Sequence, residues 1–234
     1  MTSCSRTRAG IAVVALGVVA VMLPARMDAG ASQRATAPRL RESRLPAQMP
    51  EAFGGGEVVL EVTVDPRGAV ARIDRVRVTP PYAELVADSA ALWQFDPATV
   101  VIDGRSERIA AQVLVVALFR PPSFYAGPAP VVPPQSLGVP SPRLPRLTTV
   151  AMPAYPPTAT GSGMVLVEIE LSRHAEPRGY RAIGPVTGFD AAALDAVRGW
   201  QFGAPAAADA PDPLFVYAVV GFRAPLAPAT PQRE

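Results

Sequence analysis

Lysine is missing from this chain, and histidine and cysteine occur once each, as His174 and Cys4. Without lysine there is no P-loop phosphate binder, no Schiff-base amine and no Ser-Lys dyad. One histidine and one cysteine cannot assemble a zinc cluster or a histidine-based triad. His174 itself lies in the polar stretch Ser172–Glu176, which is typical of a hairpin tip. The inventory therefore argues against an enzyme and predicts no catalytic residue, no metal site and no cofactor.

An excess of one charge is also missing once the N-terminus is set aside. Three of the 22 basic residues and one of the 20 acidic residues precede Ser32, so the remainder carries no net charge. A neutral chain gives little reason to expect nucleic acid or anionic lipid as a partner.

The N-terminus has the pattern of a signal peptide over residues 1–31. Arg6 and Arg8 precede an apolar run from Ile11 to Leu23, and small residues follow as far as Ala31. The run is shorter than the roughly 20 residues of a membrane span. We expect cleavage before Ser32 and a periplasmic or secreted protein without disulfides. The alternative is an uncleaved segment that anchors the protein in the inner membrane.

A repeat appears when the sequence is shifted by 107 residues. The shift places Trp93-Gln94-Phe95 on Trp200-Gln201-Phe202, the segments that hold the two tryptophans of the chain. Upstream in both copies, apolar residues occupy every second position, which predicts a half-buried strand. The aligned apolar residues are Val58, Leu60, Val62 and Val64 with Val165, Val167, Ile169 and Leu171. Glu168 and Glu170 are expected on a solvated face of that strand.

Each copy then continues through a turn, a second strand, a helix and a last strand. Asp65–Gly68 predicts a tight turn; Ser172–Ala175 has no glycine, so a longer or less regular loop is expected. A helical stripe of Tyr82, Val86, Ala90 and Trp93 returns as Phe189, Ala193, Val197 and Trp200. Thr187 and Asp190 resemble a capping box. The last strands are Ile109–Arg120 and Leu214–Arg223.

The predicted fold class is α+β: two small strand–strand–helix–strand domains, each a three-stranded antiparallel sheet packed on one helix. In so small a core a large aromatic side chain matters greatly, so Trp93, Phe95, Trp200 and Phe202 are expected in the core, with Gly68 at the turn. A ligand-stacking role for either tryptophan is the alternative. Gly54-Gly55-Gly56 precedes a strand rather than a helix, so it does not predict a phosphate site.

These patterns divide the chain into six segments. After the signal peptide come an N-terminal linker (32–45), domain 1 (46–122), a proline-rich linker (123–152), domain 2 (153–225) and a disordered tail (226–234). The proline-rich composition favours an extended spacer. Alternatively the linker folds back and the two sheets meet, within one chain or in a homodimer; the sequence leaves this open.

The repeat resembles the TonB C-terminal domain family. Copy one contains the hairpin motif Asp65-Pro66-Arg67-Gly68 and the Trp-x-Phe-x-Pro-Ala motif as Trp93–Ala98. Copy two contains Tyr155-Pro156, Gly188 before Phe189-Asp190, and Trp200-Gln201-Phe202. The resemblance implies a non-enzymatic module of the cell envelope that captures an extended segment of another protein, with TonB-dependent outer-membrane transporters as candidates.

An exposed edge strand could capture such a segment by β-augmentation. The expected edge is the last strand, Leu214–Phe222, with Phe215, Tyr217, Val219 and Gly221 as binding residues and Tyr155-Pro156 nearby. A cover over this edge, supplied by copy one or by a second chain, is the alternative. Two other functions stay open: a scaffold whose domains serve domain–domain or cell-wall contact, and an enzyme or small-ligand binder without a visible site.

Overall fold

Most of the regular structure gathers around one mixed sheet of seven strands. The computed structural model describes residues 35–49, 52, 54–124, 127–128 and 132–225. The predicted signal peptide and the predicted tail at 226–234 lie outside these residues. Ser32–Glu234 form one compact unit, and the described part combines strands with two helices, which confirms the α+β class.

Strand, strand, helix and strand follow one another in each half of the chain. The first half contains β1 (Arg39–Glu42), β2 (Gly56–Val64), β3 (Val70–Val78), α1 (Tyr82–Ala90), β4 (Gln94–Asp96), β5 (Ala98–Ile102), β6 (Arg105–Ile109) and β7 (Ala111–Phe119). The second contains β11 (Arg146–Thr149), β12 (Gly163–Leu171), β13 (Pro177–Ile183), α2 (Asp190–Arg198), β14 (Gln201–Gly203) and β15 (Leu214–Phe222). Between them lie β8 (Ser123–Phe124), β9 (Gly127–Pro128) and β10 (Gln135–Ser136).

Both predicted helical stripes are buried against the sheet. Every residue of the two stripes is at most 4% exposed, and Trp93 and Trp200 are at 0% and 2%. Each indole Nε1 donates a hydrogen bond to a backbone carbonyl, Trp93 to Arg44 at 3.2 Å and Trp200 to Ala151 at 3.1 Å. The two tryptophans and Phe95 are therefore buried, and Phe202 is partly buried.

The two halves join through their last strands, so the sheets meet edge to edge. The strand order is β10-β3-β2-β7-β15-β12-β13, with β7 parallel to β15 and the other sheet pairs antiparallel. This pattern relates the halves by a rotation about an axis along the strands, which turns one half over. As a result α1 packs on one face of the sheet and α2 on the other.

Each half begins with a leader segment that contains a short strand: residues 35–49 with β1 in the first half, and residues 141–153 with β11 in the second. β1 pairs with β4 and β11 pairs with β14, with a register shift at the same place in both pairs. Pro38-Arg39-Leu40 and Pro145-Arg146-Leu147 are 107 residues apart, so the repeat begins earlier than the Trp-Gln-Phe motifs indicate. β1 lies in the predicted N-terminal linker, and β11 in the predicted proline-rich linker.

The expectation that the last strand forms an exposed edge is wrong. β15 pairs with β12 on one side and with β7 on the other, and all nine of its residues are buried. The physical reason lies in its composition, because Leu214–Phe222 is apolar on both faces. Such a run is typical of a strand that is covered on both faces.

The expectation of a solvated face for Glu168 and Glu170 is also wrong for Glu168. Its side chain is 3% exposed and forms ion pairs with Arg39 at 2.9 Å and Arg181 at 3.0 Å. The leader segment lies over this face of the sheet, so the carboxylate faces protein rather than water. Glu170 is partly buried.

The second hairpin turn is as short and regular as the first. Asp65 and Ser172 begin the two turns with the same backbone and side-chain hydrogen bonds. Gly68 has φ +90° and its counterpart Ala175 has φ +63°, so alanine takes the left-handed conformation that the turn requires. His174 is exposed at this turn, as predicted.

The predicted capping box is not formed. No side-chain hydrogen bond caps α2, and the Asp190 carboxylate accepts a hydrogen bond from the Val186 backbone N–H at 2.9 Å instead. The halves differ by an antiparallel hairpin, β5–β6, which the first half alone has among the described residues.

Candidate functional site

The predicted binding residues of β15 all have partners within the molecule. The Tyr217 hydroxyl accepts a hydrogen bond from the Leu40 backbone N–H at 2.7 Å, and burial raises the pKa of this hydroxyl far above its ordinary value. Arg39 lies 5.1 Å from the centre of the Phe215 ring. Gly221 has no room for a side chain, because a Cβ there would lie 2.5 Å from the Phe119 ring. Val219 is 2% exposed.

The side chain of Tyr217 extends from β15 into the core of the first half. Its ring makes edge contacts with Trp93 at 6.2 Å and Phe95 at 5.7 Å between ring centres. These residues of β15 therefore hold the two halves together.

Tyr155 and Pro156 lie on the opposite face, in the loop before β12. The Tyr155 hydroxyl lies 2.7 Å from the Gly161 carbonyl oxygen, to which it donates, and the ring makes an edge contact with Phe189 at 5.9 Å. The Pro156 carbonyl accepts a hydrogen bond from Ala159 N–H at 3.2 Å. The Tyr-Pro pair thus closes its own loop over α2.

The carboxyl end of the outer edge of β3 is covered by the segment between the halves. Gln135 and Ser136 pair with Val78 and Arg77 in antiparallel register, and Leu137 N–H donates to the Val76 carbonyl at 2.8 Å. This chain therefore adds an extended segment of its own to a sheet edge, which is the geometry of β-augmentation.

The outer edge of β13 has no strand beside it in the described part of the chain. Ile183 lies opposite Leu166 as Arg77 lies opposite Val59, so the covered segment of β3 corresponds to Ile183, the last residue of β13, and to Gly184 after it. Pro177 begins the strand. Arg178 and Arg181 form ion pairs with Asp212 and Glu168, and each of these carboxylates also pairs with a second arginine. Sequence reasoning missed this edge, although the same 107-residue spacing could have located it.

A groove of about 870 Å³ lies beside the carboxyl end of β13. One wall comes from the leader segment at 43–49, and the other from the start of β12, the loop at 183–186 and the residues after β15. Leu45, Met49, Met164 and Ile183 supply apolar surface. The lining contains one charged residue, Arg223.

Arg223 is held by backbone rather than by an acidic side chain. Its Nη1 donates to the Ala52 carbonyl, and its Nε is buried without a hydrogen-bond partner. Arg120 holds the equivalent place in the first half, where its Nη1 donates to the Pro153 carbonyl at 2.5 Å. Each half thus ends in an arginine that reaches the other half, at the segment between β1 and β2 or between β11 and β12.

No protein-family model, no curated protein and no solved structure matches the chain. Within the described ranges, no group of three histidine, cysteine, aspartate or glutamate side chains could hold a metal ion. None of the helices that the structure describes is long and apolar enough to cross a membrane.

Proposed function

We propose that this protein is an exported, non-enzymatic module of the cell envelope that binds extended segments of other envelope proteins by β-augmentation. The supporting observation is the contrast between the two equivalent sheet edges. One edge carries residues 135–137 of the same chain, and the other has no described strand beside it.

The resemblance to the TonB C-terminal domain family supports the same function through a different strand. In the family, the last strand of the domain receives the partner segment. Here the last strands β7 and β15 pair with each other, so β13 replaces them as the available edge. Segments of TonB-dependent outer-membrane transporters are the candidate partners.

A scaffold role is the second candidate, and the β7–β15 pairing favours it. In the family the last strand binds the partner, whereas here β7 and β15 pair with each other. Such a sheet suits a structural protein that contacts its neighbours through other surfaces. The two functions differ in one property, because only the first requires direct contact of a partner with β13.

Photocrosslinking in the cell envelope tests that contact. Gly179 on β13 and Gly138 beside β10 form a matched pair, because a Cβ at either position would meet no atom within 4 Å. With benzoylphenylalanine in place of Gly179, we expect adducts with envelope proteins that mass spectrometry identifies. With the same group at Gly138, we expect none, since residues 135–137 of the chain already fill the position beside β3. Equal adduct patterns at both positions, or none at Gly179, would contradict the proposed function.

A further inference from the structure

The groove beside β13 combines an open strand edge with a single positive charge. Ile183 and Gly184 belong both to the groove lining and to the segment that corresponds to the covered part of β3. A segment added to β13 in the manner of residues 135–137 would therefore run along the groove.

The geometry of the first half also gives the direction and the position of such a segment. Residues 135–137 run antiparallel to β3, with Gln135 opposite Val78 and Leu137 bonded to Val76. The amino-terminal side of the added segment thus lies toward the carboxyl end of β3. Transferred to β13, that side lies toward Val186, which lines the groove together with Arg223.

Charge decides which segment fits. Arg223 forms no ion pair in the described chain, and none of the groove residues is acidic. Arg178 and Arg181 of β13 have carboxylate partners, so among the described residues that line the groove the guanidinium of Arg223 is a cation without one. An acidic side chain in a partner would supply the carboxylate that the described part of the chain does not.

From these observations we infer that the groove binds an extended acidic peptide segment. The segment lies antiparallel to β13, with carboxylates of its amino-terminal side at Arg223 and apolar side chains against Met164 and Leu45. This inference rests on the proposed function and names the chemistry of the partner and the side from which it enters.

Two peptides that copy the chain's own edge segment test the charge requirement. Both carry residues 133–140, with Pro133 and Pro134 replaced by glutamate in one and by arginine in the other, and both are labelled with fluorescein. Fluorescence anisotropy with the full-length protein should show the glutamate peptide binding about tenfold more tightly at low salt, since one ion pair of about 1.4 kcal/mol gives that factor. The difference should disappear in about 1 M salt, where charges are screened within about 3 Å.

Two kinds of variant assign the effect to the groove. Arg223→Gln should remove the preference for the glutamate peptide. Arg223→Gln also removes the hydrogen bond to the Ala52 carbonyl. A second pair of variants therefore leaves Arg223 unchanged and replaces Ala47, an exposed residue of the groove wall. Ala47→Glu should weaken binding of the glutamate peptide several-fold, and Ala47→Arg should strengthen it.

Each failure has a separate meaning. Equal binding of the two peptides, or no response to the Ala47 variants, overturns the acidic-segment inference, and the crosslinks at Gly179 then decide the proposed function independently. Residues 28–34 correspond to residues 135–141 in the 107-residue repeat. If the glutamate peptide binds only after the residues before Ala35 are removed, the groove belongs to the chain's own N-terminal segment and the inference is overturned.

Discussion

At the scale of single residues, the two hairpin turns show that glycine and alanine can adopt the same backbone conformation at equivalent positions. Gly68 and Ala175 occupy the same position, and both have positive φ. A Cβ at Gly68 would collide with the Phe95 carbonyl oxygen, whereas Ala175 carries its Cβ in the corresponding turn at φ +63°. The left-handed conformation costs an L-residue about 1–2 kcal/mol.

Exchanging these residues should change stability in opposite directions. We expect Ala175→Gly to raise the free energy of unfolding by about 0.5–1 kcal/mol, because relief of the strain exceeds the added entropy of the unfolded chain. Gly68→Ala should lower it by about 2 kcal/mol or more, since the collision adds to the strain. Urea unfolding of the two variants measures both; a stabilised Gly68→Ala protein would show that the turn is built differently.

The buried tryptophans allow a second prediction at this scale. Trp93→Ala and Trp200→Ala should each lower the free energy of unfolding by about 3–5 kcal/mol, as large core truncations do. Because Ser32–Glu234 form one compact unit, each change should destabilise the whole protein in one transition. Thermal unfolding followed by circular dichroism decides this. An unchanged midpoint in either variant would mean that the tryptophan is exposed and available to a ligand.

At the scale of elements, local patterns predicted the long strands and the two helices, but not short strands such as β1, β5 and β11, nor which strands meet. Alternation identified β2 and β12, and the stripe ending in Trp93 identified α1. The pairing of β7 with β15 joins residues about a hundred positions apart, and no local pattern specifies such a partner. A signal was nevertheless present, because Leu214–Phe222 has no polar alternation and is therefore typical of a strand that is covered on both faces.

The candidate site was predicted less well than the fold, for a related reason. The residues of β15 have the high β-propensity expected of a binding edge, but β12 and β7 pair with the two sides of this strand. The β13 edge is marked by Pro177 and two arginines, features that native proteins place on exposed edges. The groove combines the leader segment with residues more than a hundred positions later, so it could not be read from either segment alone.

Proline at position 219 tests the central position of β15. Val219→Pro removes one backbone donor from a fully paired strand and leaves an acceptor unsatisfied, which alone costs about 1–3 kcal/mol. We expect loss of the folded state or a large fall in the unfolding midpoint. Val219→Ala keeps the donor and is the matched control for the lost side chain. A Val219→Pro protein as stable as the control would place β15 at an edge.

At the scale of the whole molecule, the halves depend on each other. β1 pairs with β4 in the first half but sends Arg39 to Glu168 and Leu40 to Tyr217 in the second. The leader segment of the second half in turn contacts the first half, because the Ser141 backbone N–H donates to the buried Glu61 carboxylate at 2.8 Å. Cutting between the halves therefore exposes two apolar edges and two apolar faces at once.

Fragments test this dependence. Residues 32–128 and 132–234, expressed separately, should each lack a cooperative thermal transition. Mixed or co-expressed, they should form a stable one-to-one complex on size-exclusion chromatography, with the circular dichroism spectrum of the intact chain. If each fragment instead unfolds cooperatively on its own, with a midpoint close to that of the intact protein, the halves are independent domains joined by a linker.

The short strand β10 also limits how large an assembly this protein can build through its sheet. Two copies can add β13 to β13 in a closed, two-fold pair, which uses the same surface on both. A growing fibril would need each molecule to offer a second edge, and β10 occupies the carboxyl end of β3 where that second contact would form. At that end of β3, β10 therefore stands in the way of continuous edge-to-edge growth into a filament, whereas Val70–Arg75 have no strand on their outer side in the described chain.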